Sequence, residues 1–130
     1  MVTDKSERGL TAAARALLVL VRAPRAMASS AEIAGELGTH PVVIRRLLGR
    51  LRGTGLVESR SGREGGWAIA KDPATIRISD IHDALTGERA TPETALEEVI
   101  AKADAAYVEA LEQVTLADLA RGAHPLRAHS

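Results

Sequence analysis

Two short helical patterns around a glycine turn, a glycine-rich hairpin behind them and one long heptad-like helix define the fold class of this sequence. They predict a mainly α chain with a small β-hairpin, a winged helix-turn-helix plus a long C-terminal dimerisation helix. The segment that decides it is Thr39-His40-Pro41-Val42-Val43-Ile44-Arg45-Arg46-Leu47-Leu48-Gly49-Arg50-Leu51-Arg52. It follows a capped short helix and precedes a basic hairpin, the order in which a recognition helix and a wing occur.

Residues 9–22 read as the first helix, because Leu10, Ala13, Ala14, Leu17, Leu18 and Val21 recur at helical spacing. Arg22-Ala23-Pro24-Arg25 ends it, since proline disfavours helix in the residue before it. Ser29-Ser30-Ala31-Glu32 carries a capping-box pattern in which Ser29 accepts the Glu32 amide and the Glu32 carboxylate reaches back. The helix it opens runs to Leu37 with Ile33, Ala34 and Leu37 inward, and Gly38 stops it. Thr39 or His40 caps the next helix, with Pro41 in the first turn, where its missing N–H costs little. Val43, Leu47, Leu48 and Leu51 are expected to face the core, with Val42, Arg45, Arg46, Gly49 and Arg52 on the rest of the circle. Gly53-Thr54-Gly55 terminates that helix.

Residues 56–60 and 67–71 are short strand candidates, and Ser61-Gly62-Arg63-Glu64-Gly65-Gly66 between them is a turn by composition. Asp72-Pro73 closes this wing, and Ile76 and Ile78 add a short strand or pack on the core. Ser79 is expected to cap a further helix with Asp80 in its first turn. Residues 86–91 read as a linker, and Thr91-Pro92 starts the longest element. There Leu96, Val99, Ile100, Ala103, Tyr107, Leu111 and Val114 form a seam alternating by three and four. A helix over residues 93–114 is roughly 33 Å long at 1.5 Å per residue. Thr115 caps a short last helix ending near Gly122, followed by a frayed tail. The domain boundaries expected are 1–86 for the winged head, 87–122 for the dimerisation helices and 123–130 for a flexible tail.

Composition narrows the function. Hydrophobic residues are 45% but aromatics only 2%, so the core is built from Leu, Val, Ile and Ala, which suits packed helices. No run of apolar residues is long enough for a membrane span, and the expectation is a cytoplasmic protein without membrane contact. There is no cysteine, which removes disulfides and thiolate metal sites. The net charge is zero, yet the charge is segregated. Residues 41–71 hold seven Arg and Lys against two Glu, a net of +5; residues 80–120 hold ten acids against Arg89 and Lys102, a net of −8. A basic head on an acidic body fits a chain whose head alone meets phosphate.

Within the head, Arg45 and Arg46 are the candidates for major-groove contact, because a guanidinium donates two parallel hydrogen bonds to guanine. Thr39, His40, Pro41 and Val42 lie at the helix start, where base edges are approached. Ser29 and Ser30 open the preceding helix, whose exposed amides favour anions. Arg50 is a phosphate candidate, and Arg60, Gly62 and Arg63 form the wing that grips backbone and minor groove. Trp67 is expected to pack at the wing base. Catalytic residues are not expected, since no Ser/His/Asp set or phosphate-binding glycine loop occurs. His82, His124 and His129 lack metal-site spacing, so neither metal nor cofactor is expected.

These elements resemble the Rrf-two (Rrf2) family of bacterial winged helix-turn-helix transcription regulators. The resemblance rests on Ser29-Ser30-x-Glu32-Ile33-Ala34-x-x-Leu37-Gly38, on Pro41 to Leu47, on Gly55-Leu56-Val57 with Gly65-Gly66-Trp67, on Ile78-Ser79-Asp80-Ile81 and on Val114 to Leu119. It implies a dimer that represses or activates genes; with the heptad seam as the dimer axis, the expectation is a homodimeric, sequence-specific DNA-binding repressor on a near-palindromic double-stranded operator. A small-molecule effector is one option for its signal. Several members of that family hold an iron–sulfur cluster on three cysteines placed between the helix after the wing and the long helix. Here that stretch is Thr86-Gly87-Glu88-Arg89-Ala90-Thr91-Pro92-Glu93, so the chain resembles the cysteine-free branch. The alternative reading is a winged-helix protein-interaction module without DNA binding, which the zero net charge permits.

Overall fold

The computed structural model describes residues 5–63, 65–86 and 94–122, with side chains described from Gly9 onward. The elements in order are α1 (Lys5–Arg22), α2 (Ser30–Leu37), α3 (Pro41–Gly53), β1 (Val57–Arg60), β2 (Gly66–Ile69), a 3₁₀ turn at Pro73–Thr75, α4 (Ile78–Thr86), α5 (Ala95–Glu112) and α6 (Leu116–Ala120). The fold is mainly helical with one antiparallel hairpin, as the sequence predicts. No described helix is long and apolar enough to cross a membrane. The expected tail at 123–130 and most of the linker fall outside the described residues.

Helix α1 starts at Lys5, four residues before the start at residue 9 that the sequence predicts. Its buried line is Leu10, Ala13, Ala16, Leu17 and Leu20, so the stripe is rotated from the one expected: Ala14, Leu18 and Val21 are only half-buried. Helix α2 forms as its caps dictate. Ser29 Oγ accepts from the Glu32 amide at 3.1 Å, and Glu32 Oε1 accepts from the Ser29 amide at 3.2 Å. Such a cap stabilises a helix start by about 1 kcal/mol. Gly38 ends the helix with φ 71°, the left-handed conformation that glycine adopts without a Cβ penalty.

Helix α3 differs from expectation in its phase. Ile44, Leu48 and Leu51 are buried, Leu47 is half-buried and Val43 is exposed. These residues join α1 and α4 in one core with Ile33, Leu56, Val57, Ile76, Ile81 and Leu116. The hairpin pairs Val57 with Ile69, Glu58 with Ala68, Ser59 with Trp67 and Arg60 with Gly66. Leu56 lies in the core ahead of β1 rather than in the strand. Residues 70 and 71 lie beyond β2, although the Ala70 amide still donates to the Leu56 carbonyl at 3.0 Å.

Ser79 does not cap α4. The helix begins at Ile78, Ser79 is buried within it, and Asp80 Oδ2 accepts the Arg77 amide at 2.9 Å. Around this start the chain meets its own C-terminal part. Arg77 bridges Thr115 antiparallel, the Ile78 amide donates to the Val114 carbonyl at 3.0 Å, and the Leu116 amide donates to the Ile76 carbonyl at 2.8 Å. Thr94 caps α5 with Glu97, and Thr115 caps α6 with Asp118, each as a full capping box. The expected seam therefore divides. Leu96, Val99, Ile100, Ala103 and Tyr107 are exposed along α5, whereas Leu111 and Val114 are half-buried against the core, Val114 beyond the end of the helix.

Candidate nucleic-acid interface

The outward face of α3 follows from its inward one. With Ile44, Leu48 and Leu51 buried, Val42, Arg45, Arg46 and the half-buried Gly49 form one stripe along the outer side of the helix, with the exposed Val43 beside it and the exposed Arg50 and Arg52 toward its other end. Val42, Arg45 and Arg46 are exposed, and Val42, an apolar residue at the helix start, is 51% exposed. A Cβ at Gly49 would meet nothing within 4 Å, so the stripe borders open space. His40 occupies the cap position with extended backbone, but its side chain makes no capping hydrogen bond. Thr39 is half-buried, its amide held by the Ala34 carbonyl at 3.0 Å. Pro41 stands in the first turn of the helix.

The arginines at the other end of α3 are engaged within the fold. Arg50 Nη1 donates to the Leu85 carbonyl at 3.1 Å, which ties α3 to the last turn of α4. The contact engages one of the five N–H donors of Arg50, whose side chain stays exposed. Arg52 Nη1 donates to Ser59 Oγ at 2.9 Å, and its guanidinium lies 5.6 Å from the centre of the Trp67 ring. Trp67 packs at the wing base as expected and is 9% exposed. Its indole Nε1–H donates to Ser30 Oγ at 2.9 Å. One tryptophan thus joins β2 to the start of α2 and, through Arg52, to α3. Neither Ser29 nor Ser30 is idle: the first caps its helix and the second accepts from the indole. A hydroxyl that accepts from Trp67 keeps its own proton to donate.

The wing tip is shaped by glycine. Gly62 has φ 103°, and the Gly65 amide closes the turn on the Gly62 carbonyl at 3.0 Å. A Cβ at Gly65 would collide with the Arg60 carbonyl, and one at Gly66 would come to 2.7 Å from the Ala28 carbonyl. The close approach at Gly66 has a purpose. Trp67 exchanges two backbone hydrogen bonds with Ala28, at 2.8 and 3.1 Å, which pin the wing to the loop between α1 and α2. Of the wing cations, Arg60 is paired with Glu58 at 3.0 Å, both exposed, while Arg63 is exposed at the tip. The sequence signals found the α3 stripe and the wing. They gave no hint of the Arg52–Ser59 hydrogen bond or the Trp67–Ser30 link, which only the folded pairing brings together.

The Rrf2 family model, described as "Iron-dependent Transcriptional regulator", matches residues 6–122. A protein of Mycobacterium tuberculosis named as an HTH-type transcriptional regulator is 34% identical over 107 residues, covering 72% of this chain and 66% of its own length. The chain thus spans just under two thirds of that relative. Among solved structures, the T. potens IscR is 28% identical with a TM-score of 0.70, covering 97% of this chain and 90% of its own. CymR of B. subtilis, titled the global cysteine regulator, is 26% identical with a TM-score of 0.70, covering 95% and 98% respectively. The word iron in the family description meets a donor set that does not fit it. The chain has no cysteine, and no group of three or more His, Asp or Glu among the described residues is placed to hold a metal ion. A thiolate-held iron–sulfur cluster has no ligands here.

Proposed function

Because the chain belongs to the Rrf2 family of transcription regulators, a family of non-enzymes, we propose that it binds double-stranded DNA sequence-specifically as a homodimeric repressor in the cytoplasm. The observation that carries this reading is the exposed Val42–Arg45–Arg46 stripe on α3 beside a basic wing, in a chain whose remaining charge is acidic. Arg45 and Arg46 read base edges in the major groove, with Val42, His40 and Thr39 at the helix start completing the contact. Ser29 and Ser30 present the start of α2 to a phosphate, Ser30 through the proton it keeps. Arg63 is the wing arginine that enters the minor groove, and Arg60, held by Glu58, stays on the backbone. Arg50 is a structural residue in this reading.

Leu96, Val99, Ile100, Ala103 and Tyr107 are the dimer seam. It sets two recognition helices about 34 Å apart, one turn of duplex, on a near-palindromic operator. Lacking a thiolate, the protein reads a small molecule or responds through its own abundance. The test is fluorescence anisotropy on its own upstream DNA against scrambled DNA at two salt concentrations. The expected result is preference for one duplex, with affinity falling steeply as salt rises, because phosphate contacts release counterions. Absence of any DNA affinity at low salt overturns the proposal in favour of a protein-interaction module.

A further inference from the structure

We propose that the loop between α1 and α2 is a third DNA-contacting element, in which Arg25 grips a backbone phosphate beside the wing. This rests on the DNA-binding reading above and adds a residue that neither the helix-turn-helix pattern nor the wing pattern contains.

The loop is built to hold that arginine in place. It leaves α1 in a turn closed by the Ala26 amide on the Ala23 carbonyl at 2.9 Å. Ala26 has φ 57°, a left-handed conformation that is strained for a residue with a Cβ. Two residues later Ala28 exchanges both backbone hydrogen bonds with Trp67. The loop is therefore joined to the wing by one antiparallel bridge, on the β2 edge opposite β1. Gly66, with no side chain, lets the two backbones approach.

The outcome is an open cleft of about 530 Å³ between loop and wing tip, lined by Arg25, Arg60 and Arg63 with Met27, Ser61, Gly62 and Gly65. Three cations line it. Against them stand Glu58, which pairs with Arg60, and Glu64 in the wing-tip sequence, so these residues together carry a net charge of +1. Met27 gives the cleft a half-buried apolar wall, and Arg25 is exposed at its edge. Guanidiniums contributed by loop and wing around an open slot suit a phosphodiester, which accepts charge-assisted hydrogen bonds from several sides. The wing carries the cleft to the DNA. If Arg63 enters the minor groove, the pinned loop lies over the adjoining backbone.

The experiment compares wild type, Arg25→Gln and Arg25→Lys on a random-sequence duplex and on the upstream DNA, by anisotropy across a salt series. Each phosphate contact contributes about 0.9 to the slope of log K on log salt, so losing one per protomer lowers a dimer's slope by about 1.8. The relative weakness of Arg25→Gln should then shrink about twelvefold between 50 and 200 mM salt. The loss should be equal on both duplexes, and Arg25→Lys should keep the wild-type slope. Three results overturn the inference while leaving DNA binding intact. The first is an unchanged slope in Arg25→Gln. The second is a loss confined to one duplex. The third is an equal loss in Arg25→Lys, which would make Arg25 a prop for the loop. A wild-type protein with no DNA affinity overturns both proposals.

Discussion

Changing Ile100 to Glu should separate the dimer while leaving each protomer folded. On α5, Leu96 is 69% exposed, Val99 64%, Ile100 50% and Tyr107 37%, together about two full side chains of apolar surface. Burying one such side chain completely is worth about 1.5–3 kcal/mol. Seam against seam therefore gains about 3–6 kcal/mol per protomer and about 6–12 kcal/mol per pair. Association costs an estimated 4–15 kcal/mol, so this seam alone supports a marginal dimer. A carboxylate buried there without a partner costs several kcal/mol, and each pair would carry two. The helix already holds Glu97, Glu98, Asp104, Glu109 and Glu112 against Lys102, so added negative charge also repels. Because Ile100 is half-exposed in the protomer, the thermal midpoint of a dilute monomer should move little. Sedimentation velocity reads the oligomer, and anisotropy reads the accompanying loss of DNA affinity. A wild-type protein that sediments as a monomer at micromolar concentration, or an Ile100→Glu protein that stays dimeric, would refute the reasoning.

Within the head, Arg46→Ala should lose about 1–3 kcal/mol of discrimination between operator and mismatched duplex. By contrast, Arg63→Ala should weaken all sequences alike and lower the salt slope by about one per protomer; both are read by competition anisotropy. Trp67→Phe removes the indole donor to Ser30 and should cost about 1 kcal/mol in urea denaturation, with an unchanged midpoint arguing against the link. Asp118 supplies the pH dependence. The Thr115 amide, then the Thr115 hydroxyl and Arg121, hold its carboxyl below the usual value of 3.8. A carboxylate depressed in the folded state stabilises above its unfolded pKa, and that stabilisation is lost as pH falls through the folded one. Asp118→Asn should accordingly be less stable than wild type at neutral pH, the gap closing as the pH drops below 3.8; a gap that stays constant into acid would show that charge is not the cause.

What the sequence made legible was whatever is encoded locally. The Ser29–Glu32 cap and the Gly38 stop each depend on groups within a few residues, and each appears in place. Helix phase is different. Val42, Val43 and Ile44 are consecutive apolar residues, and both Val43–Leu47 and Ile44–Leu48 make an i, i+4 ladder that Leu51 can extend. Only packing against α1 and α4 selects the second. Ser79 shows the same limit: as a helix-opening serine it reads as a cap, yet Asp80 takes the Arg77 amide and Ser79 is drawn into the core. In the interface, Arg45 and Arg46 are outward because of their helical position, which periodicity reveals. The engagement of Arg50 by Leu85 lies 35 residues away in sequence, and no local pattern reveals it.

That long-range contact bears on how a dimer would place its recognition helices. Arg50 joins α3 to the end of α4 by a hydrogen bond to the Leu85 carbonyl. One turn earlier on α4, the His82 ring meets Tyr107 of α5 edge-on, with centroids 5.2 Å apart. Helix α4 is therefore clamped on one side to the helix that would read DNA and on the other to the helix that carries the apolar seam. Recognition helices set about one DNA turn apart tolerate little change in spacing. An event that moved Tyr107 relative to His82 would thus alter the register of Arg45 and Arg46 on a palindrome without touching either arginine.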